Sequence, residues 1–336
     1  MQKLDLYKKQ LSAPVNVTWE ITHKCNLSCL HCLSADQRAD CSSDMTLKEC
    51  YNFIDDLANI KVFQVNIGGG EPFLREDILD ILEYSHQKKL VTCVSTNGTM
   101  LDSSLSKKLS EMDLLYIQVS LDGATAETND LIRGNGSFNK AVAGIENLNK
   151  FNFPHLSINT VVTGKNFREI KDMYEIGKFY HAKTRLSRFR PSGSAKKIWE
   201  EYHLDKEQTI ELAELLGKYK DVLTGDSFFS ITAEDRRHLG LNMCGAAKMT
   251  CSVTPDGNVY PCAFLQEEEF LAGTILKQSL GAIWRNSPVF KMIRNMKNES
   301  CEQCPRFDFC HGGCPAIAYF LKNSLDHPDP ACICNI

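Results

Sequence analysis

Six short strand-like segments alternate with helix-patterned segments between residues 15 and 190, and this alternation narrows the fold more than any other feature of the chain. The strand-like segments are Val15–Thr22, Val62–Ile67, Leu90–Ser95, Leu114–Ser120, Leu156–Thr163 and Lys183–Arg190. Helical periodicity falls between them, near 75–88, 102–111, 138–150 and 167–180. Thr46-x-x-Glu49 is a capping-box signature that opens a further helix with Leu47, Ile54 and Leu57 on its apolar face. Strands in alternation with helices imply a parallel sheet joined by right-handed crossovers. A curved partial barrel of six strand–helix units and an open doubly wound sheet both satisfy that pattern. The chemically loaded residues follow the strands: the first cysteine loop, then Gly68-Gly69-Gly70-Glu71, Ser95-Thr96-Asn97-Gly98 and Ser120-Leu121-Asp122-Gly123. Ligands gather at the C-terminal ends of strands in barrels and open sheets alike, and the loading favours a barrel-like site.

The rhythm stops after Arg190-Pro191-Ser192-Gly193. Residues 205–223 read as an amphipathic helix, and from Cys244 the chain is loop-rich and dense in cysteine. Val253–Val259, with Asp256-Gly257 in its turn, is a hairpin signal. The expected organisation is a barrel over 1–195, a helical connector over 196–240 and a cysteine-rich domain over 241–336. A formal charge of −4 without a basic stripe argues against nucleic acid as a partner. No apolar run reaches the roughly 20 residues that span a bilayer. The start, Met1–Gln10, lacks a signal-peptide core, and the expectation is a cytoplasmic chain with no membrane partner.

The cysteines are the second constraint. There are 15, at 25, 29, 32, 41, 50 and 93, then at 244, 251, 262, 301, 304, 310, 314, 332 and 334. In a reducing compartment an odd number of thiols in two clusters points to metal ligation before disulfides. Cys25-x3-Cys29-x2-Cys32 offers three thiolates on one loop. A zinc site would need a fourth ligand from His23, His31 or Cys41, whereas a [4Fe–4S] cluster on three cysteines keeps one iron open to a small molecule. Gly68-Gly69-Gly70-Glu71-Pro72 lacks the Lys-Ser/Thr ending of a phosphate loop. Its glycines permit close backbone approach to a ligand, and its carboxylate can accept from an ammonium group. Beside three thiolates, the pair of features suits an amino acid that chelates an open iron.

CxxxCxxC followed by GGE after the second strand resembles the radical S-adenosylmethionine (SAM) superfamily. The resemblance implies that Cys25, Cys29 and Cys32 hold the SAM-cleaving cluster, and that Gly69, Gly70 and Glu71 hold the methionine amine. It assigns Ser120 and Arg133 to the methionine carboxylate, Asn159 to the ribose, and Ser95 and Asn97 to lesser SAM contacts. Set against this, Ser95 and Asn97 could merely build a turn, and Arg133 could be a surface ion pair. Cys301-x2-Cys304-x5-Cys310-x3-Cys314 alone would also suit a zinc ribbon. Together with Cys244-x12-Gly257-x4-Cys262 and the downstream Cys332 it resembles the seven-cysteine SPASM extension of radical SAM enzymes, which implies two auxiliary [4Fe–4S] clusters. By that resemblance Cys244, Cys251, Cys262 and Cys314 hold the first, and Cys301, Cys304, Cys310 and Cys332 the second, with Cys334 a substitute for Cys332. Cys41, Cys50 and Cys93 read as ordinary thiols.

Four further stretches resemble the mycofactocin maturase family: Leu121–Glu127, Arg188–Gly193, Leu223-Thr-Gly-Asp-Ser-Phe-Phe229 and Leu241–Ala246. That family oxidatively decarboxylates the C-terminal tyrosine of a small ribosomal precursor peptide and joins the product to the preceding valine. The implied partners are the precursor peptide, a separate peptide-binding chaperone, since about fourteen residues precede the first strand, and a flavodoxin- or ferredoxin-type electron donor. Ala263 after Cys262 disfavours a sulfatase maturase, which carries an aspartate there. Arg190, Asp226 and Ser227 are candidates for the peptide carboxylate or the phenol. The competing readings are another SPASM maturase forming a thioether or carbon–carbon crosslink, a tetrapyrrole side-chain decarboxylase, a zinc-stabilised binding module and a pure electron carrier.

Overall fold

The computed structural model of the protein describes residues 10–37, 44–219, 221–224, 244–305 and 307–332. Cys41, Cys334, Asp226, Ser227 and most of the Leu223–Phe229 stretch lie outside the described residues. The strands are β1 Asn16–Glu20, β2 Gln64–Gly68, β3 Val91–Thr96, β4 Tyr116–Ser120, β5 Leu156–Val162, β6 Lys183–Arg188, β7 Thr250–Val253, β8 Asn258–Tyr260 and β9 Gly273–Thr274. All six strands expected from the apolar alternation form, within two residues of the expected ends at most places. The chain divides into two compact units, and among the described residues the first comprises 10–24, 44–94 and 245–296.

In this first unit β1 pairs in parallel with β2, and β2 with β3. Alternation puts Val17 and Trp19 of β1 fully inside, where the Trp19 ring meets Phe53 edge-on at 5.0 Å. The helix Leu47–Asn59 starts as the capping box requires: the Thr46 side chain accepts from the Glu49 amide, and the Glu49 carboxylate accepts from the Thr46 amide. Its buried face is Cys50, Phe53, Ile54 and Leu57. The expected hairpin is β7–β8, with Gly257 at φ +81° in the turn, a conformation that suits a residue without Cβ. Its docking is a feature the sequence pattern does not reveal. β7 lies parallel against the other edge of β1, with Asn16 opposite Thr250 and Val17 opposite Cys251.

The second unit holds β4, β5 and β6, again parallel, with Ser120 opposite Asn159. Its helices include Ser103–Ser110, Ser137–Lys150, Ile170–Phe179 and Lys206–Lys218, near the expected positions. The helix Ala126–Arg133 is an addition; Thr125 caps it by accepting from the Thr128 amide. Phe167, Ile170, Leu186 and Leu212 close one apolar cluster of this unit. Among the described residues no helix is long and apolar enough to cross a membrane.

Candidate functional site

The loop after β1 carries Cys25, Cys29 and Cys32, each half-buried and free of disulfide. Backbone bonds shape it: the Cys32 amide donates to the Cys29 carbonyl at 3.2 Å, and the Leu30 amide donates to the Ile132 carbonyl at 2.9 Å. Ser194 closes the far side, its amide donating to the Cys32 carbonyl at 3.0 Å and its hydroxyl to the same oxygen at 3.2 Å. Gly193, at φ +55°, comes so near that an added Cβ would lie 2.3 Å from that carbonyl. At the near side Asn97 Nδ2 donates to Asn26 Oδ1 at 2.9 Å and lies 4.0 Å from Cys25 Sγ.

Asp122, two residues beyond β4, is the electrostatic centre of this loop. Its side chain is fully buried, with Oδ2 2.5 Å from His31 Nε2 and 2.6 Å from Arg133 Nε. Oδ1 accepts from the Val161 amide at 2.7 Å. Burial opposes the charge, but the Arg133 guanidinium and the His31 ring beside it pull the carboxyl down to about 2. Arg133 is itself a buried cation close to Cys29 and Cys32, and its cost of desolvation is offset first by Asp122 and then by those thiols. Arg133 does form an ion pair, but a buried one and not the surface pair considered from sequence, and it faces the cysteine loop. Asp122 was visible in the sequence only within Ser120–Gly123 and Leu121–Glu127; nothing local marks it as the partner of His31.

In the first unit the Gly69-Gly70-Glu71 turn packs on the backbone that leads into the cysteine loop. The Gly70 amide donates to the Thr22 carbonyl and the Glu71 amide to the Lys24 carbonyl, both at 2.8 Å. A Cβ on Gly70 would sit 2.0 Å from the Lys24 carbonyl oxygen, and one on Gly69 2.7 Å from that of Thr22. The glycines thus have a reason in the fold itself, beyond the close approach to a ligand anticipated above. Glu71 is fully buried, and one carboxylate oxygen accepts from the Phe73 amide at 3.2 Å. Asp44, which the sequence does not single out, staples the same segment: it accepts from the Thr22 hydroxyl at 2.5 Å and from the His23 amide at 3.2 Å.

The remaining candidate SAM contacts stand on or just after the strands, Asn159 in the middle of β5. Ser120 ends β4, and Ser95 lies in β3, its hydroxyl accepting from Gln118 at 3.4 Å. Asn159 accepts from the Ser187 hydroxyl at 2.7 Å. Asn97 builds a turn, since its Oδ1 accepts from both the amide and the hydroxyl of Thr99.

Among the C-terminal thiols the structure gathers Cys301, Cys304, Cys310 and Cys332. Burial, then the neighbouring Cys310, Cys332 and Cys304 thiols, pushes Cys301 up to about 11. Asp329 organises this segment. Its carboxylate forms a two-pronged buried pair with Arg188 at the end of β6, both bonds 2.6 Å, and accepts from the Cys314 amide at 3.0 Å. The Cys332 amide donates to the Asp329 carbonyl at 2.9 Å. Cys251 and Cys262 belong to the first unit, and Cys244 and Cys314 to the second. Cys50 and Cys93 are fully buried, as expected of ordinary thiols. Among the described residues no three His, Cys, Asp or Glu side chains converge as a single-ion site. The donor set is thiol-rich, without disulfides and with buried cations beside it, which fits anionic iron–sulfur clusters.

The comparisons with known proteins agree with this chemistry. Residues 19–176 match the Radical SAM superfamily, and residues 244–305 match the SPASM family, described as an iron–sulfur cluster-binding domain. Mycofactocin maturase MftC of Mycobacterium ulcerans is 39% identical over 98% of this chain and 90% of its own length. The chain belongs to the mycofactocin maturase family. The AdoMet-dependent heme synthase of Methanosarcina barkeri is also similar, at 31% identity over 96% of this chain and 97% of its own length. Among solved structures, Streptococcus suis SuiB bound to the precursor peptide SuiA superposes with a TM-score of 0.79 at 19% identity, covering 98% of this chain and 78% of SuiB. The fold is therefore the α/β fold of SPASM-type radical SAM enzymes, and this member of the mycofactocin maturase family is a SAM-dependent, peptide-modifying enzyme whose cofactors are iron–sulfur clusters and SAM.

Proposed function

We propose that the enzyme oxidatively decarboxylates the C-terminal tyrosine of a ribosomal precursor peptide and then joins the product to the preceding valine through a carbon–carbon bond. The observation that carries this reading is the likeness to mycofactocin maturases along 98% of the chain. Cys25, Cys29 and Cys32 would hold the SAM-binding cluster, and the two auxiliary clusters would take Cys244, Cys251, Cys262 and Cys314, and Cys301, Cys304, Cys310 and Cys332. This makes three [4Fe–4S] clusters, the first in the barrel over 1–195 and the others in the SPASM domain over 241–336, with 196–240 as connector. When bound, the reduced cluster and SAM supply a carbon-centred radical that takes a hydrogen atom from the substrate.

The residues of this chain provide the rest. Gly69, Gly70 and Glu71 receive the methionine amine, and the charge on Arg133, fixed by Asp122, attracts the carboxylate with Ser120. Asn159 serves the ribose, with Ser95 and Asn97 at the margin of the same site. The tyrosine loses a hydrogen atom from Cβ, one electron and CO2, which leaves an alkene in place of the carboxylated Cα. That electron balances the one consumed in SAM cleavage. Fully thiolate-bound auxiliary clusters suit the transfer of this electron better than substrate coordination does. Arg190, buried on the segment after β6, is a candidate for the peptide carboxylate. The precursor peptide, its chaperone and a flavodoxin- or ferredoxin-type donor are the partners, and the cytoplasm is the compartment where those thiols stay reduced.

The test is the anaerobic holoenzyme with dithionite, SAM, a Val-Tyr-ended precursor and its chaperone. Deoxyadenosine together with a peptide lighter by CO2 and two hydrogens supports the reading. Deoxyadenosine with an unchanged peptide removes the substrate assignment and leaves the radical SAM chemistry in place.

A further inference from the structure

Arg294, on the helix Pro288–Asn295, has no role in the reading above, yet its side chain is arranged with care. Nε donates to the Ala247 carbonyl at 2.6 Å. The guanidinium lies 4.5 Å over the Trp284 ring and 5.6 Å from the Phe290 ring, and both rings are fully buried. Trp284 is fixed in turn by its indole N–H, which donates to the Leu11 carbonyl at 2.8 Å. The two remaining nitrogens, Nη1 and Nη2, are buried without a hydrogen-bond partner. A guanidinium cannot shed its charge, and buried charged donors left unsatisfied are rare enough to require an explanation.

The group that Arg294 faces is Cys251, on β7 and fully buried. The same Ala247 whose carbonyl Arg294 holds donates its amide to the Thr250 carbonyl at 2.9 Å, which brings the guanidinium beside Cys251, the next residue. A neutral thiol is a poor partner for a buried cation. A thiolate bound to an iron–sulfur cluster is a good one, and the cluster's sulfur atoms accept hydrogen bonds.

We propose that Arg294 is the charge partner of the auxiliary cluster held in part by Cys251, donating through Nη1 and Nη2 to its sulfur atoms and raising its reduction potential. The proposal rests on the reading of Cys251 as a cluster ligand and adds what sets the electron affinity of that cluster. The sign follows from charge: one-electron reduction adds a negative charge, and a fixed cation stabilises the reduced form more than the oxidised form. A cluster so raised is the better acceptor for the electron that leaves the substrate radical.

The test is an anaerobic potentiometric titration of the holoenzyme followed by electron paramagnetic resonance, with Arg294→Gln and Arg294→Lys beside the wild type. The relevant cluster is the one whose signal disappears in Cys251→Ala. In Arg294→Gln its reduced-to-oxidised ratio at a fixed potential falls at least tenfold, a midpoint lower by about 59 mV or more for one electron. The other clusters stay in place, and Arg294→Lys retains most of the wild-type value. An unmoved midpoint in Arg294→Gln with full iron overturns the proposal, as does an equal shift in both variants, which would mark packing and not charge. If Arg294→Gln fails to assemble that cluster, Arg294→Lys decides: assembly supports the charge role, and failure contradicts it. A wild-type protein with no cluster dependent on Cys251 instead removes the reading beneath the proposal.

Discussion

Asp122 carries more of the cysteine loop than any other single side chain. One buried carboxylate oxygen serves both His31, inside the loop, and Arg133, at the end of the helix Ala126–Arg133. Removing one member of a buried pair leaves the other charged and dry, typically at a cost of about 3–5 kcal/mol. Asp122→Ala is therefore expected to lower the unfolding free energy by that order, measured by urea denaturation of the metal-free chain. The pH dependence has a definite sign. The carboxyl is held near 2 in the fold, below its unfolded value, so its contribution is complete above about pH 4 and fades as pH falls toward 2. The variant should show a shallower loss of stability through that window. Cys50 gives the opposite case: burial raises its thiol to about 12, so it should resist iodoacetamide at pH 8 in the native protein while Cys25 is alkylated after iron removal. Uptake of the label at Cys50 without unfolding would contradict its place in the core. The candidate cysteine ligands were legible because their spacing is local. The partners Asp122, Asp44 and Asp329 were not, because a lone aspartate acquires its meaning only from what the chain folds against it.

Among the elements, the glycine turn after β2 and the C-terminal cysteine segment are the two most exposed to test. Gly70→Ala would drive a Cβ to 2.0 Å from the Lys24 carbonyl, so the segment entering Cys25 must shift. The expected result is a hundredfold or greater loss of deoxyadenosine formation, on the scale that misplacement of about 1 Å imposes on a positioned site. Auxiliary-cluster iron should be retained in that variant. Asp329→Ala should do the reverse, since it frees the Cys314 and Ala331 amides and leaves Arg188 buried without its partner. Iron analysis should then find the cluster assigned to Cys301, Cys304, Cys310 and Cys332 lost, with the SAM-binding cluster kept. The elements themselves divide by how local their signals are. The helix Leu47–Asn59 announces itself through Thr46 and Glu49, and β7–β8 through Asp256-Gly257. The helix Ala126–Arg133 does not, because its short polar sequence is fixed by contacts such as the Asp122 amide donating to Asn129. The parallel docking of β7 on β1 is equally hidden, since pairing between strands so far apart in the chain leaves no local signal in sequence.

For the whole molecule, the proposed function needs a radical site and a path for the electron that the oxidation releases. Cys29 and Cys32 stand beside a buried Arg133, the C-terminal thiols gather around Asp329, and Cys251 meets a cation with two unused donors. This division of labour explains why a chain of 336 residues carries 15 cysteines yet needs no disulfide for the chemistry. The central claim concerns the substrate, and the mass of the peptide after turnover tests it most directly. The account predicts that the anaerobic holoenzyme with SAM, dithionite and chaperone converts a Val-Tyr-ended precursor to a species lighter by CO2 and two hydrogens, with deoxyadenosine formed alongside. A precursor of unchanged mass, with deoxyadenosine still accumulating, would contradict it.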